Sequence, residues 1–220
     1  MRDWIIALRR IVSKFLLIAL ALPHMASASG IPEDGVLDFA ILRNGEQIGR
    51  HVIRFERRGE PTIVRIVAEV DYRVAFIPLY TFRHSALETW RGGNLIAMSA
   101  ETNDNGDDYN IELTTNGDSG ALTVNGETAS VAATSRPASL WNNAALGNQR
   151  IVDPADGELM NVSVTSPGAE TITVRGHEIR AIRYEMTGDF QRILWFDERN
   201  VLVQVAFEGE DGSKLRYVLR

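Results

Sequence analysis

Over residues 64–76 apolar and polar side chains alternate: Val64, Ile66, Ala68, Val70, Tyr72, Val74 and Phe76 share one face, and Arg65, Glu69, Asp71 and Arg73 take the other. A period of two is the mark of a strand with one buried face. At about 3.3 Å per residue the stretch would reach about 40 Å, longer than the strands of a small flat sandwich, so a sheet of such strands must twist and curl around something. The alternation recurs through nearly all of residues 29–220, and helical periodicity is almost absent. It predicts strands over residues 36–43, 46–57, 62–76, 79–91, 95–103, 108–115, 120–124, 127–132, 159–165, 170–174, 178–187, 191–196, 200–208 and 214–219.

Between these strands stand turn formers: Asn44-Gly45, Arg58-Gly59, Gly92-Gly93, Asn105-Gly106, Asn116-Gly117, Asn125-Gly126, Asp156-Gly157, Arg175-Gly176 and Asp211-Gly212. Asn-Gly and Asp-Gly supply the positive φ angles that tight hairpins require. Residues 136–150, with Pro137, Trp141-Asn142-Asn143 and Ala144-Ala145-Leu146, break the pattern and read as a loop with at most one short helix near 138–147. The expected fold is all-β: a single domain over residues 29–220, forming a long-stranded, curled antiparallel meander, a half-barrel or open barrel.

Residues 1–28 obey another order. Arg9, Arg10 and Lys14 precede the apolar run Phe15-Leu16-Leu17-Ile18-Ala19-Leu20-Ala21-Leu22, then Pro23 and the small-residue site Ala26-Ser27-Ala28. This is the order of an N-terminal signal helix, cleaved after Ala28, and it predicts a periplasmic or secreted protein. The apolar run is far short of the roughly 20 residues that a bilayer core requires, so no stable membrane span is expected after cleavage. Arg9-Arg10 alone is a weak sign of twin-arginine export and leaves the route open.

The whole chain has a net charge of −6; taking away the four basic residues and one acid of residues 1–28 leaves −9. Such a balance argues against nucleic acid or anionic headgroups bound through bulk charge. With no cysteine there is no disulfide, thiolate nucleophile or Cys-ligated metal. No P-loop, Rossmann glycine pattern or His-Glu-x-x-His string occurs, and neither cofactor nor metal is expected.

From Asn44-Gly45-Glu46-Gln47-Ile48-Gly49-Arg50-His51 onward the chain resembles an uncharacterised family of secreted proteobacterial proteins, known only as a domain of unknown function. The likeness continues through Phe76-Ile77-Pro78-Leu79-Tyr80-Thr81-Phe82-Arg83-His84, Glu88-Thr89-Trp90, Thr102-Asn103-Asp104-Asn105-Gly106, Leu140-Trp141-Asn142, Leu194-Trp195-Phe196-Asp197 and Asp211-Gly212. It covers most of the chain beyond the export segment and implies no activity. More loosely, a long-stranded meander is similar to the curled sheets of envelope carriers that hold lipid or lipoprotein acyl chains, an analogy of fold alone.

Candidate chemistry concentrates in one row. Tyr80, Phe82, His84, Ala86, Glu88 and Trp90 have the same strand parity, which sets two ionisable groups among aromatics. A turn at Ile77-Pro78 would place His84 opposite Tyr72 and Glu88 opposite Ala68. Pairing 46–57 with 62–76 would set His51 opposite Ile66, Ile53 opposite Val64 and Phe55 opposite Thr62. His51, His84 and Glu88 then share an apolar face, with His51 and Glu88 roughly 10 Å apart across one strand.

The cluster reads either as an acid–base or ligand-anchoring site or as hydrogen-bonded core residues that fix register, and the second kind is far the commoner. Tyr80, Phe82, His84, Glu88, Trp90 and Trp141 form the expected ligand-binding set, with Trp141-Asn142-Asn143 capping one end. His177 reads as an exposed turn residue.

Two short strings carry less. Glu101-Thr102-Asn103-Asp104-Asn105-Gly106 with Glu112 imitates a calcium loop but is flanked by strands where that motif needs helices. Gly117-Asp118-Ser119-Gly120 imitates a protease nucleophile loop but fits a hairpin turn better. The sequence therefore favours a non-catalytic envelope binding, carrier or maintenance module whose partner is a hydrophobic small molecule or an envelope protein. The alternatives are a hydrolase or transferase on envelope glycan or lipid, using Glu88 with His84 or His51, and a purely structural interaction module.

Overall fold

A computed structural model describes residues 30–220 apart from Arg58. The segment read as a signal peptide lies outside the described residues, as does Arg58 of the Arg58-Gly59 turn. Fourteen antiparallel strands build one open, curled sheet. They are β1 (Val36–Arg43), β2 (Glu46–Glu56), β3 (Thr62–Val74), β4 (Ile77–Arg91), β5 (Asn94–Asp104), β6 (Asp107–Thr115), β7 (Gly120–Val124), β8 (Glu127–Val131), β9 (Arg150–Val152), β10 (Leu159–Val174), β11 (His177–Gly188), β12 (Arg192–Phe196), β13 (Leu202–Glu208) and β14 (Lys214–Leu219).

Alternation became burial through most of β3 and failed at its end, where Val74 is 48% exposed. In β3, Val64, Ile66, Ala68 and Val70 point inward while Arg65 and Glu69 stay in solvent. Hairpins close as the turn chemistry requires: Asn105 (φ 54°) and Gly106 (φ 110°) are both left-handed, the combination that matches strand twist in a two-residue loop.

The strand order is β8-β7-β6-β5-β4-β3-β2-β1-β14-β13-β12-β11-β10-β9. The first and last strands therefore pair in the middle, with Phe39 opposite Leu219 and Ile41 opposite Tyr217. The free edges β8 and β9 are consecutive in the chain, and residues 132–149 join them. This connection hydrogen-bonds along β9: the Val152 amide donates to the Arg136 carbonyl (2.9 Å) and the Ala138 amide to the Val152 carbonyl (2.8 Å). It thus covers an edge that would otherwise be a template for further strands. The ribbon curls far enough for the β9–β10 turn to meet the end of β7, since a Cβ on Gly157 would lie 2.3 Å from Val124 Cγ2.

Several expectations need correction. The turn between β3 and β4 falls at Ala75 (φ 48°) and Phe76 (φ 69°), with Val74 opposite Ile77, so it is not centred on Ile77-Pro78. His84 consequently lies opposite Ala68, not Tyr72, and Glu88 opposite Val64, not Ala68. In β2–β3, His51 faces Ala68, Ile53 faces Ile66 and Phe55 faces Val64, because the loop before β3 is longer than the minimal one. Both slips are even, so every side chain keeps its face.

Phe76 leaves the inward row altogether: at the hairpin tip it is 94% exposed, beside Ile77 at 62%. The strands expected at 159–165 and 170–174 are one, β10, continuous through an irregularity between Thr165 and Gly168. β9 stands where no strand is expected, because three residues are too few to show alternation. The short helix is a 3-10 turn, Asn143–Gly147.

Gly157→Ala is expected to cost about 1–3 kcal/mol by forcing a methyl into Val124, on top of backbone strain, whereas Gly106→Ala, with open space at its Cβ, costs about 1 kcal/mol from strain alone. Adding Val124→Ala should recover part of the difference. Chemical denaturation of the three variants measures this, and equal losses at the two glycines would mean that the closing contact carries no energy.

Candidate functional site

Glu88 is the deepest polar group on the inner face of β4, with 0% of its surface exposed. One carboxylate oxygen, Oε2, accepts hydrogen bonds from two indoles: Trp90 Nε1 at 2.8 Å and Trp141 Nε1 at 2.9 Å. Trp90 is two residues along the same strand and so on the same face. Trp141 arrives from the connection between the sheet edges and packs edge-on against Trp90 (5.3 Å between ring centroids) and Phe55 (5.1 Å). Oε1 has no hydrogen-bond partner. Burial pushes the carboxyl above its ordinary value, and hydrogen bonding from Trp141, Ser139 and Trp90 pulls it part of the way back. Such a group is built to accept from indoles and is closed to a substrate.

Above this node the interior is open. A cavity of about 880 Å³ is walled by apolar residues of β1 to β4, among them Phe39, Ile41, Ile66, Ala68 and Val70, and bounded below by residues 138–140 of the connection. Its mouth lies at the end that carries the β3–β4 hairpin, where Tyr72, Leu79, Tyr80, Asp104 and the ion pair of Arg43 with Asp211 line the rim. The size and the mostly apolar lining with few polar groups suit a small-molecule pocket.

The two histidines occupy one row of this wall, His51 opposite Ala68 and Ala68 opposite His84. His84, 7% exposed, has Nδ1 2.9 Å from the Thr102 hydroxyl and stacks on Phe82. His51 lies between the Phe39 and Tyr217 rings, and neither of its ring nitrogens has a hydrogen-bond partner. Burial pushes both imidazoles down to about 4, with the neighbouring His84 adding to the effect on His51, so both are neutral near pH 7. Burial, with the Asp104 carboxylate beside it, pushes the Tyr80 hydroxyl up.

The structure thus divides the residues singled out in the sequence. Tyr80, Phe82, His84 and His51 line the cavity. Glu88, Trp90 and Trp141 lie below its floor, Glu88 level with Val64 and Met98 while His84 is level with Ala68 and Thr102. The residue pair that an acid–base site would need is separated by four positions along the strand.

Sequence reasoning missed the opposite wall. There the Arg192 guanidinium sits between two rings, 3.9 Å from the Phe190 centroid and 3.8 Å from that of Phe207. Phe207 in turn packs 5.9 Å from Tyr217, which packs 5.6 Å from His51. Asp153 joins this wall, its carboxyl pushed up to about 6 by burial.

Of the two short strings, Asn105-Gly106 makes the β5–β6 turn, and Ser119 is held in another turn by its amide donating to Asn116 Oδ1 (2.9 Å).

Residues 39–220 match the model of a domain of unknown function, DUF6134, and the chain belongs to that family. A comparison with curated proteins gave no match. Among solved structures, the chain is similar to a β-barrel-like protein of another domain of unknown function, DUF1849, from Brucella abortus. The TM-score is 0.57 at 10% identity, over 84% of this chain and 94% of that one, a likeness of fold.

Glu88→Leu leaves two indole N–H groups without an acceptor and should cost about 2–5 kcal/mol, whereas Glu88→Gln keeps an acceptor oxygen and should cost under about 1 kcal/mol at pH 4. Because the folded-state carboxyl titrates above the unfolded one, its contribution is complete at low pH and lost as pH rises through the folded value. The Gln variant should therefore gain on the wild type with rising pH; a constant difference would contradict the buried-carboxyl account.

The histidines act in the opposite sense. With folded values near 4 and unfolded values near 6.5, their contribution is present above pH 6.5 and lost as pH falls toward 4. His51→Phe should flatten this acid limb in pH-dependent thermal melts, and an unchanged limb would show that His51 is not buried.

Proposed function

We propose that this DUF6134 member is a binding module of the cell envelope that holds an apolar small molecule inside an open β-barrel. The observation that carries the reading is the cavity. It leaves about 880 Å³ of mostly apolar interior unfilled, where the same curled sheet is packed solid around Trp90 and Trp141. An interior left open against the gain from burial and close packing is accounted for by an occupant. Placement in the envelope rests on Arg9, Arg10, Lys14, the apolar run and Ala26-Ser27-Ala28, which together have the order of an export signal. A hydrolase or transferase using Glu88 with His84 or His51 draws less support, because Glu88 is fully buried and already accepts from two indoles.

The test is binding of a neutral apolar fluorophore, N-phenyl-1-naphthylamine, by the mature protein and by Ala68→Trp, which fills the wall between the two histidines. The wild type should bind, and the variant, shown to be folded by its thermal melt, should bind at least about ten-fold more weakly. Mass spectrometry of protein purified from its own envelope should show a chain beginning at Ser29, with extractable apolar ligand. Equal fluorophore binding by both proteins, or none by either, would overturn the cavity reading.

A further inference from the structure

We propose that the occupant is an amphiphile with an anionic head, a carboxylate or phosphate on an apolar chain, and that Arg192 and Tyr217 hold that head. This rests on the binding reading and says which end of the ligand the barrel recognises. Arg192 lines the cavity and is half-buried, yet among the described residues it forms no ion pair. Its single hydrogen bond runs from Nη1 to the Gln191 carbonyl (2.7 Å). A guanidinium offers five N–H donors, so most of its capacity faces the cavity unspent. The Phe190 and Phe207 ring faces stabilise the cation without neutralising it. That arrangement preserves a positive charge in an apolar room, and its planar fork matches a carboxylate or phosphate.

Tyr217 lies beside it, with Phe207 in contact with both. Beyond Tyr217 stands His51, both nitrogens without a partner. His51 is the group here that the protein leaves unsatisfied among the described residues, and buried polar groups otherwise find partners in native structures. Asp153 is the nearby carboxylate that would compete for Arg192. It accepts instead from the Ala155 amide (2.8 Å), and burial favours its neutral form. Phe39, Ile41, Ile66 and Val70, on β1 and β3, add apolar surface to the same cavity and suit the chain of such a molecule.

The experiment is displacement of N-phenyl-1-naphthylamine from the mature protein by dodecanoate, dodecyl phosphate and 1-dodecanol, each below its micelle-forming concentration. The two anions should compete at least about ten-fold better than the alcohol, as expected for a charge-assisted contact in an apolar site. Their order relative to each other tells a carboxylate from a phosphate head. Arg192→Gln should lose about ten-fold or more toward both anions and under about two-fold toward dodecanol, and Tyr217→Phe about three-fold toward the anions alone.

If Arg192→Gln fails to fold, Arg192→Lys decides, since it keeps the charge but loses the fork; it should weaken the anions several-fold and spare the alcohol. Equal competition by all three, or a variant that weakens all three alike, overturns the anionic head while leaving an apolar cavity intact. Failure of the fluorophore itself to bind wild type removes the cavity reading and this inference together.

Discussion

One buried carboxylate oxygen holds this barrel to its shape. Glu88 Oε2 accepts from Trp90, on the wall, and from Trp141, on the chain segment that joins the two free sheet edges. A fourteen-stranded ribbon with its termini paired in the middle has no hydrogen bonds of its own to define how far it curls. The depth of Trp141 defines it, since the indole must reach Glu88 while packing edge-on against Phe55 and Trp90. Burying a carboxyl is costly, and two indole donors, helped by partial neutralisation, offset the cost.

The same contact divides the interior. Below it the inward rows close into a solid core of Leu37, Ile53, Val64, Met98 and Leu113. Above it residues 138–140 form a floor, and from there to the rim the two walls stand apart. The division has chemical consequences. Burial of their rings keeps the His51 and His84 imidazoles neutral, while the Arg192 guanidinium stands between two phenyl rings. Neutral imidazoles and apolar side chains thus line the same cavity as the Arg192 guanidinium.

Much of this was legible in the residues, and the limits have physical causes. Period-two alternation located nearly every strand, and Asn-Gly turns located most hairpins, because both are local rules. Face was legible for His51, His84 and Glu88; level along the strand was not. The β3–β4 turn is made by Ala75 and Phe76, residues with no evident preference for left-handed backbone, so the tip was placed too late and Glu88 seemed closer to His51 than it is. The sequence places Trp141 in a capping segment, but its bond to Glu88 depends on a loop path that has no periodicity. Arg192 and Tyr217 come to face His51 only because β1 pairs with β14, a contact between the two ends of the chain that no local pattern announces.

The central claim, that the Glu88 node is part of the global structure and not a latch that opens by itself, is tested most directly by hydrogen exchange of the tryptophan indole protons followed by NMR. Protons that open only with the whole molecule exchange with the free energy of global unfolding. The account predicts this for Trp90 and Trp141, with Trp195, bonded to the half-exposed Glu170, exchanging sooner. Exchange of Trp141 as fast as that of Trp195 would contradict it, because the connection would then be leaving the barrel while the sheet stayed folded.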